Sequence, residues 1–472
     1  MNIHRVFSVV VCTILLSTVS LRCKTAVAEP SDTIRNYDFS PLDTLINAWI
    51  NQGSINSGAV FVAADDIVLF KKTFGSDSVL KKQFKDDRKA FTLFNKNTLS
   101  VETSIQLNND PIEKDSLFKR IATLYNNGTV SIKNLYATGS DAEKQSVKVC
   151  SWTDTINHVN GFFMFRLNSA GEQHDTDAEL TVPVLPFWIR RIIQTAQLPD
   201  SVKTGYAVVN ETRLYYQEAG SGEPLIFIHG HSFDHTEWDP QFSVFAKHFR
   251  TIVYDVRGYG RSASQVEGQQ FMHVDDLVAL MDDLKIDKAH VVGLSMGGFI
   301  ATDMIAKYQN RLLSVTLASG DLRSSPGPDE PWTKETVTKE REKINVYIEE
   351  GLVKHKFSWL DGLVHSGGPN ANSIEPKLWD MIYRWTQWQP MHVEARVLYG
   401  KQAERMIRNQ DITVPVMILS GSVDAHKHRK ILDVIPAARQ EIIPDAGHVS
   451  NLENPDAFNA SVLRFLDVRS NN

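Results

Sequence analysis

Cysteine is nearly absent from this chain. Its 472 residues include three, Cys12, Cys23 and Cys150, and the first two fall in an N-terminal stretch that reads as a cleaved leader. Cys150 is then alone, which excludes an intramolecular disulfide. Stability has to come from a buried core, and a chain of this length can supply one. Net charge is scarce as well: 50 Lys and Arg against 56 Asp and Glu leave −6, with no basic excess of the kind a nucleic-acid partner requires. Beyond residue 21 no apolar run approaches the roughly 20 residues of a membrane span. Internal repeats, long low-complexity segments and a His/Cys set at zinc spacing are all missing. His426 and His428 lie beside Lys427 and Arg429 in a basic stretch and read as surface residues.

What is present begins with the leader. His4 and Arg5 precede an apolar stretch from Val6 to Leu21, and Ala26-Val27-Ala28 offers small residues where a signal peptidase inspects them. The expectation is a signal peptide over 1–28, export to the periplasm or beyond, and no span left in the mature chain. Arg22 before Cys23 is a poor fit to a lipoprotein signal. Length predicts two domains. A change of pattern at Leu198-Pro199-Asp200-Ser201 divides a smaller α+β domain at 31–200, without an assigned role, from a larger one at 201–472. In the first, 42–50 is expected to be helical, 59–62 and 67–70 a strand pair, and 162–165 a further strand. Its lysine- and asparagine-rich middle, 71–115, shows little periodicity.

The second half alternates. Short apolar runs at 225–228, 252–254, 289–292, 313–317, 414–419 and 441–443 read as buried strands. Stretches of helical spacing at 272–284, 299–308 and 455–466 lie between and after them. Strands alternating with helices predict a parallel, doubly wound α/β sheet covered on both faces. The alternation breaks over about 320–413, a helix-like insertion holding Trp332, Trp359, Trp379, Trp385 and Trp388, five of the nine tryptophans. Such an insertion would form a cap over the C-terminal ends of the strands.

Gly293-Leu294-Ser295-Met296-Gly297 joins one of these strands to a helix. A serine on so tight a turn is presented at the tip of the sheet beside a helix N-terminus, the setting of a nucleophile. A hydroxyl needs a base, and the base needs an orienting group. His448, after the last strand, and Asp424, in Gly421-Ser422-Val423-Asp424 after the strand before, supply both in the order Ser, Asp, His. Asp321, after the strand that follows the serine's helix, is the alternative acid. The oxyanion formed on attack needs N–H donors. Met296 offers one, and His231, in His229-Gly230-His231-Ser232, offers the second. The His231 side chain either lines the pocket or caps the next helix.

With the serine turn, His229-Gly230, Trp238, Asp255-Val256-Arg257-Gly258-Tyr259-Gly260-Arg261-Ser262 and Gly447-His448 followed by Glu453-Asn454-Pro455, residues 206–468 resemble the α/β-hydrolase superfamily. The likeness is to its small esterases, enol-lactone hydrolases and cofactor-free haloperoxidases. It implies an acyl-enzyme mechanism without cofactor or metal, and a structural role for the 255–262 stretch. It implies a small-molecule ester or lactone as substrate; the tryptophan-rich cap adds the expectation of an apolar acyl or aromatic part. Perhydrolysis, C–C hydrolysis or acyl transfer on the same residues are alternatives, as is a binding module without catalysis. Residues 43–75 faintly resemble the opening of penicillin-binding-protein-like serine hydrolases. The further motifs that family needs are matched only by Ser78-Val79-Leu80-Lys81, Ser116-Leu117-Phe118-Lys119 and Lys203-Thr204-Gly205, and none stands at a convincing spacing.

Overall fold

Along residues 224–228 alternate side chains enter different cores: Ile226 and Ile228 join one apolar cluster, Leu225 and Phe227 another. Successive strand side chains point to opposite faces, so an uninterrupted apolar run belongs in a sheet buried on both sides. The computed structural model describes residues 39–51, 55–64, 67–76, 130–136, 147–154, 159–166, 189, 192–193, 201–263, 271–322, 342, 352–385, 397–398, 400–427 and 429–467. The leader, residues 78–81 and 116–119, Trp332, Trp388 and His428 lie outside them.

The first described part is helix α1 (Ser40–Asn51) followed by β1 (Ser57–Ala64), β2 (Ile67–Gly75), β3 (Val130–Tyr136), β4 (Val147–Asp154) and β5 (Val159–Arg166). These strands form an antiparallel sheet in the order β2-β1-β5-β4-β3. The expected helix, strand pair and strand at 162–165 are all present. β3 and β4 were not legible, because polar residues interrupt both runs; Cys150 lies on β4, paired with Phe163.

The second sheet has eight strands: β6 (Lys203–Val209), β7 (Thr212–Ala219), β8 (Pro224–Ile228), β9 (Arg250–Tyr254), β10 (Ala289–Leu294), β11 (Leu312–Ala318), β12 (Val416–Gly421) and β13 (Arg439–Ile443). Their order is β13-β12-β11-β10-β8-β9-β7-β6. β8 to β13 pair in parallel, whereas the β6–β7 hairpin joins β9 antiparallel. Lys203-Thr204-Gly205 is therefore the start of an edge strand in this sheet. The helices are α2 (Asp239–Phe245), α3 (His273–Asp283), α4 (Met296–Tyr308), α5 (Leu352–His365), α6 (Ala371–Arg384), α7 (Gly400–Arg408), the single turn α8 (Ser450–Glu453) and α9 (Pro455–Asp467). α3, α4 and α7 cover one face, and α2 and α9 the other.

The insertion between β11 and β12 contributes α5 to α7, as its helical pattern predicts. Trp379 stacks between Phe357 and Tyr383, with centroids 3.9 and 4.8 Å away. The apolar cluster around it also holds Leu42, Ile46 and Trp49 of α1, Val60 and Val62 of β1, and Val449 and Leu452 beyond β13. Residues 37–472 accordingly form one compact unit.

Candidate active site

Ser295 stands between β10 and α4 with φ +53° and ψ −109°, a backbone conformation costly for any residue with a side chain and typical of functional turns. Its N–H donates to Ala318 O (2.8 Å), and its carbonyl accepts from Phe299 N–H (3.1 Å). The turn closes because two glycines let backbones touch. A Cβ on Gly293 would sit 2.1 Å from Gly297 O, and one on Gly297 would sit 2.1 Å from Ile228 O. The first turn of α4 is thereby pressed against the end of β8, where residues 229–232 begin. Met296 opens α4, so its N–H belongs to the unpaired donors of a helix N-terminus, where partial positive charge gathers.

Asp424 and His448 meet. Asp424 is 1 % exposed, and its Oδ2 lies 3.2 Å from His448 Nδ1. They come from loops after adjacent strands, and the second loop folds back over the first: a Cβ on Gly421 would lie 2.2 Å from Gly447 O. A carboxylate at Nδ1 fixes that nitrogen as the donor and leaves Nε2 as the basic one. Asp321, the alternative acid, is engaged elsewhere, its Oδ2 accepting from Ile431 N–H at 3.0 Å.

The loop after β8 is held from several directions. His229 is fully buried; its Nε2 accepts from Val256 N–H (3.0 Å), so Nδ1 carries the proton and donates to Gly230 O (2.8 Å). Burial lowers its pKa, which keeps the ring neutral and structural. Gly230 N–H donates to Glu237 Oε2 at 2.7 Å, and burial pushes that carboxyl well above the usual range. The His231 ring does not cap the next helical turn, where the capping side chain is Asp234. Instead it forms a 2.9 Å hydrogen bond with the Tyr259 hydroxyl and lies edge-on to Trp359 and Trp385. The hydroxyl of Ser232 accepts from Trp359 Nε1 at 2.8 Å. Trp385 stacks on Tyr259 and donates to Gly258 O (3.2 Å). These cap-to-loop bonds carried no sequence signal, since they join residues more than 100 positions apart. Arg257 is structural, as expected: its guanidinium is buried on Asp276 at 2.7 and 2.8 Å.

Among the described residues a metal-like grouping occurs at Asp234, His235 and Asp255. It is already satisfied internally: Asp255 Oδ1 accepts from the backbone N–H and ring of His235 at 2.7 Å, and Asp234 pairs with Arg384 at 3.0 Å.

Residues 223–455 match the alpha/beta hydrolase fold family. The chain is similar to a Mycobacterium tuberculosis protein named as a non-heme bromoperoxidase, at 25 % identity over 54 % of this chain and 97 % of the relative. It is equally similar to 3-oxoadipate enol-lactonase 1 of Acinetobacter baylyi, at 25 % identity over 50 % of this chain and 85 % of the relative. An enol-lactonase structure from Burkholderia xenovorans aligns at 24 % identity, covering 56 % of this chain and all of that one, with a TM-score of 0.42. The sheet, the serine turn and the paired acid and base all fall within this half, which is a member of the alpha/beta hydrolase superfamily.

Proposed function

We propose that the protein is an exported serine hydrolase that cleaves a small-molecule ester or lactone through an acyl-enzyme. The observation that carries this reading is the strained Ser295 at the strand–helix turn, on the same sheet that pairs His448 with Asp424. In the proposed cycle Ser295 Oγ attacks the carbonyl carbon while His448 Nε2 takes its proton. The N–H groups of Met296 and His231 receive the oxyanion, and His448 passes the proton to the departing oxygen. Water, deprotonated by the same imidazole, then releases the acid and restores the serine. Relatives named as an enol-lactonase and as a methyl ester esterase carry names for bonds of this class. Trp359, 38 % exposed beside His231, supports an apolar or aromatic group in the substrate, because such a ring gains most by covering apolar surface.

The test is labelling with a fluorophosphonate, followed by a panel of esters and lactones. The wild-type chain is expected to label and turn over members of the panel, with Ser295→Ala losing both. Labelling that persists in Ser295→Ala would overturn the assignment. Sequencing the N-terminus of the mature protein tests export, with a start at Glu29 expected.

A further inference from the structure

One of the buried carboxylates outside the proposed cycle bonds to both neighbours of its base. Glu453 is 5 % exposed and ends the single turn α8. Its Oε2 accepts from Gly447 N–H at 3.0 Å and from Gly368 N–H at 2.6 Å, while Oε1 accepts from Val449 N–H at 3.3 Å. Gly447 and Val449 flank His448 on either side. Gly368 belongs to the turn between α5 and α6, in the cap. Asn370 of the same turn donates its side-chain amide to Glu453 O at 3.0 Å. The two backbones touch as well: a Cβ on Gly447 would lie 2.5 Å from Gly367 Cα, and one on Gly368 would lie 2.7 Å from Asp445 O.

Three N–H donors converging on one side chain call for an acceptor with two oxygens and no hydrogens. A carboxyl side chain supplies both oxygens within one short group. Were the acceptor lost, three N–H groups around the base would be left in a site that water reaches poorly. We propose that Glu453 is the positioning residue of His448, clamping both neighbours of the imidazole to the cap turn so that the ring is held against Asp424. The inference rests on the serine-hydrolase reading above.

The test is steady-state kinetics on Glu453→Gln and Glu453→Ala, in the full-length protein, on the best ester of the panel. Glutamine keeps the shape but places an NH2 against at least one N–H. It is expected to lower kcat about 10-fold, and alanine about 100-fold, the loss associated with misplacing a catalytic group by about 1 Å. KM is expected to stay within about threefold, since Glu453 acts on the base rather than on ground-state binding.

A cycle with His448→Ala separates positioning from general structural support. If Glu453 acts through the imidazole, Glu453→Gln causes no further loss of the residual rate in the His448→Ala background. A full additional 10-fold loss there, or an unchanged kcat in the single variant, overturns the proposal. Should Glu453→Ala fail to fold, Glu453→Gln with an unaltered melting temperature decides alone. Failure of the underlying reading looks different: labelling would then survive Ser295→Ala, whatever Glu453 does.

Discussion

At the scale of single residues, Asp424 and His448 were legible as a candidate acid and base because each lies in the loop that follows an expected strand. The choice between Asp424 and Asp321 was not settled by sequence, because both follow strands at the correct edge. The 3.2 Å bond to His448 favours Asp424, and the bond from Ile431 N–H gives Asp321 a structural task. Asp424→Asn is therefore expected to lower kcat by about 10³- to 10⁴-fold, as loss of the orienting carboxylate does in other triads. Asp321→Asn keeps an acceptor for Ile431 and is expected to stay within about threefold. Parallel rate measurements on the two variants check this, and the opposite ranking would exchange their roles. The contacts of Glu453 and Ser232 were illegible for another reason: each pairs with a partner that only the folded chain brings near.

Among elements, the cap helices were legible as a group from their helical spacing, but their mounting was not. Lys356 on α5 shows why. The residue is 4 % exposed, and its Nζ donates to Tyr383 O at 2.9 Å and Trp385 O at 2.5 Å. It so satisfies carbonyls left over at the C-terminus of α6. A lysine on an amphipathic helix is ordinarily solvated, so sequence alone points the other way. Burial lowers its pKa from 10.5 to about 7. Between those two values the unfolded chain holds a proton that the folded chain has released, so this site makes stability rise with pH across that window and adds nothing to the slope below it. Lys356→Met is expected to flatten the pH dependence of the unfolding free energy, read from urea titrations between pH 7 and 10, by up to about 1.4 kcal/mol per pH unit. An unchanged slope would show that the amine keeps its proton in the fold.

For the molecule as a whole, the sequence pattern changes near residue 200, between β5 and β6, while residues 37–472 form one compact unit. It did not reveal that α1 and β1 share one apolar cluster with α5 and α6, because an apolar helix face does not say what covers it. Ile46, fully buried in that cluster, offers the test. Ile46→Asp puts a carboxylate among apolar side chains, at a cost of several kcal/mol. It is expected to lower the melting temperature of one cooperative transition that includes the cap tryptophans. Two transitions, with only one of them moved, would mean that the N-terminal sheet melts on its own.

The glycine seam between residues 366–368 and the His448 loop has a mechanical consequence. Nothing larger than hydrogen fits between these backbones, and Glu453 accepts from both of them, so displacing this corner of the cap strains the loop that carries the imidazole. At Trp359 the cap meets the loop after β8 through side chains alone, a contact that side-chain rotation can break without moving either backbone.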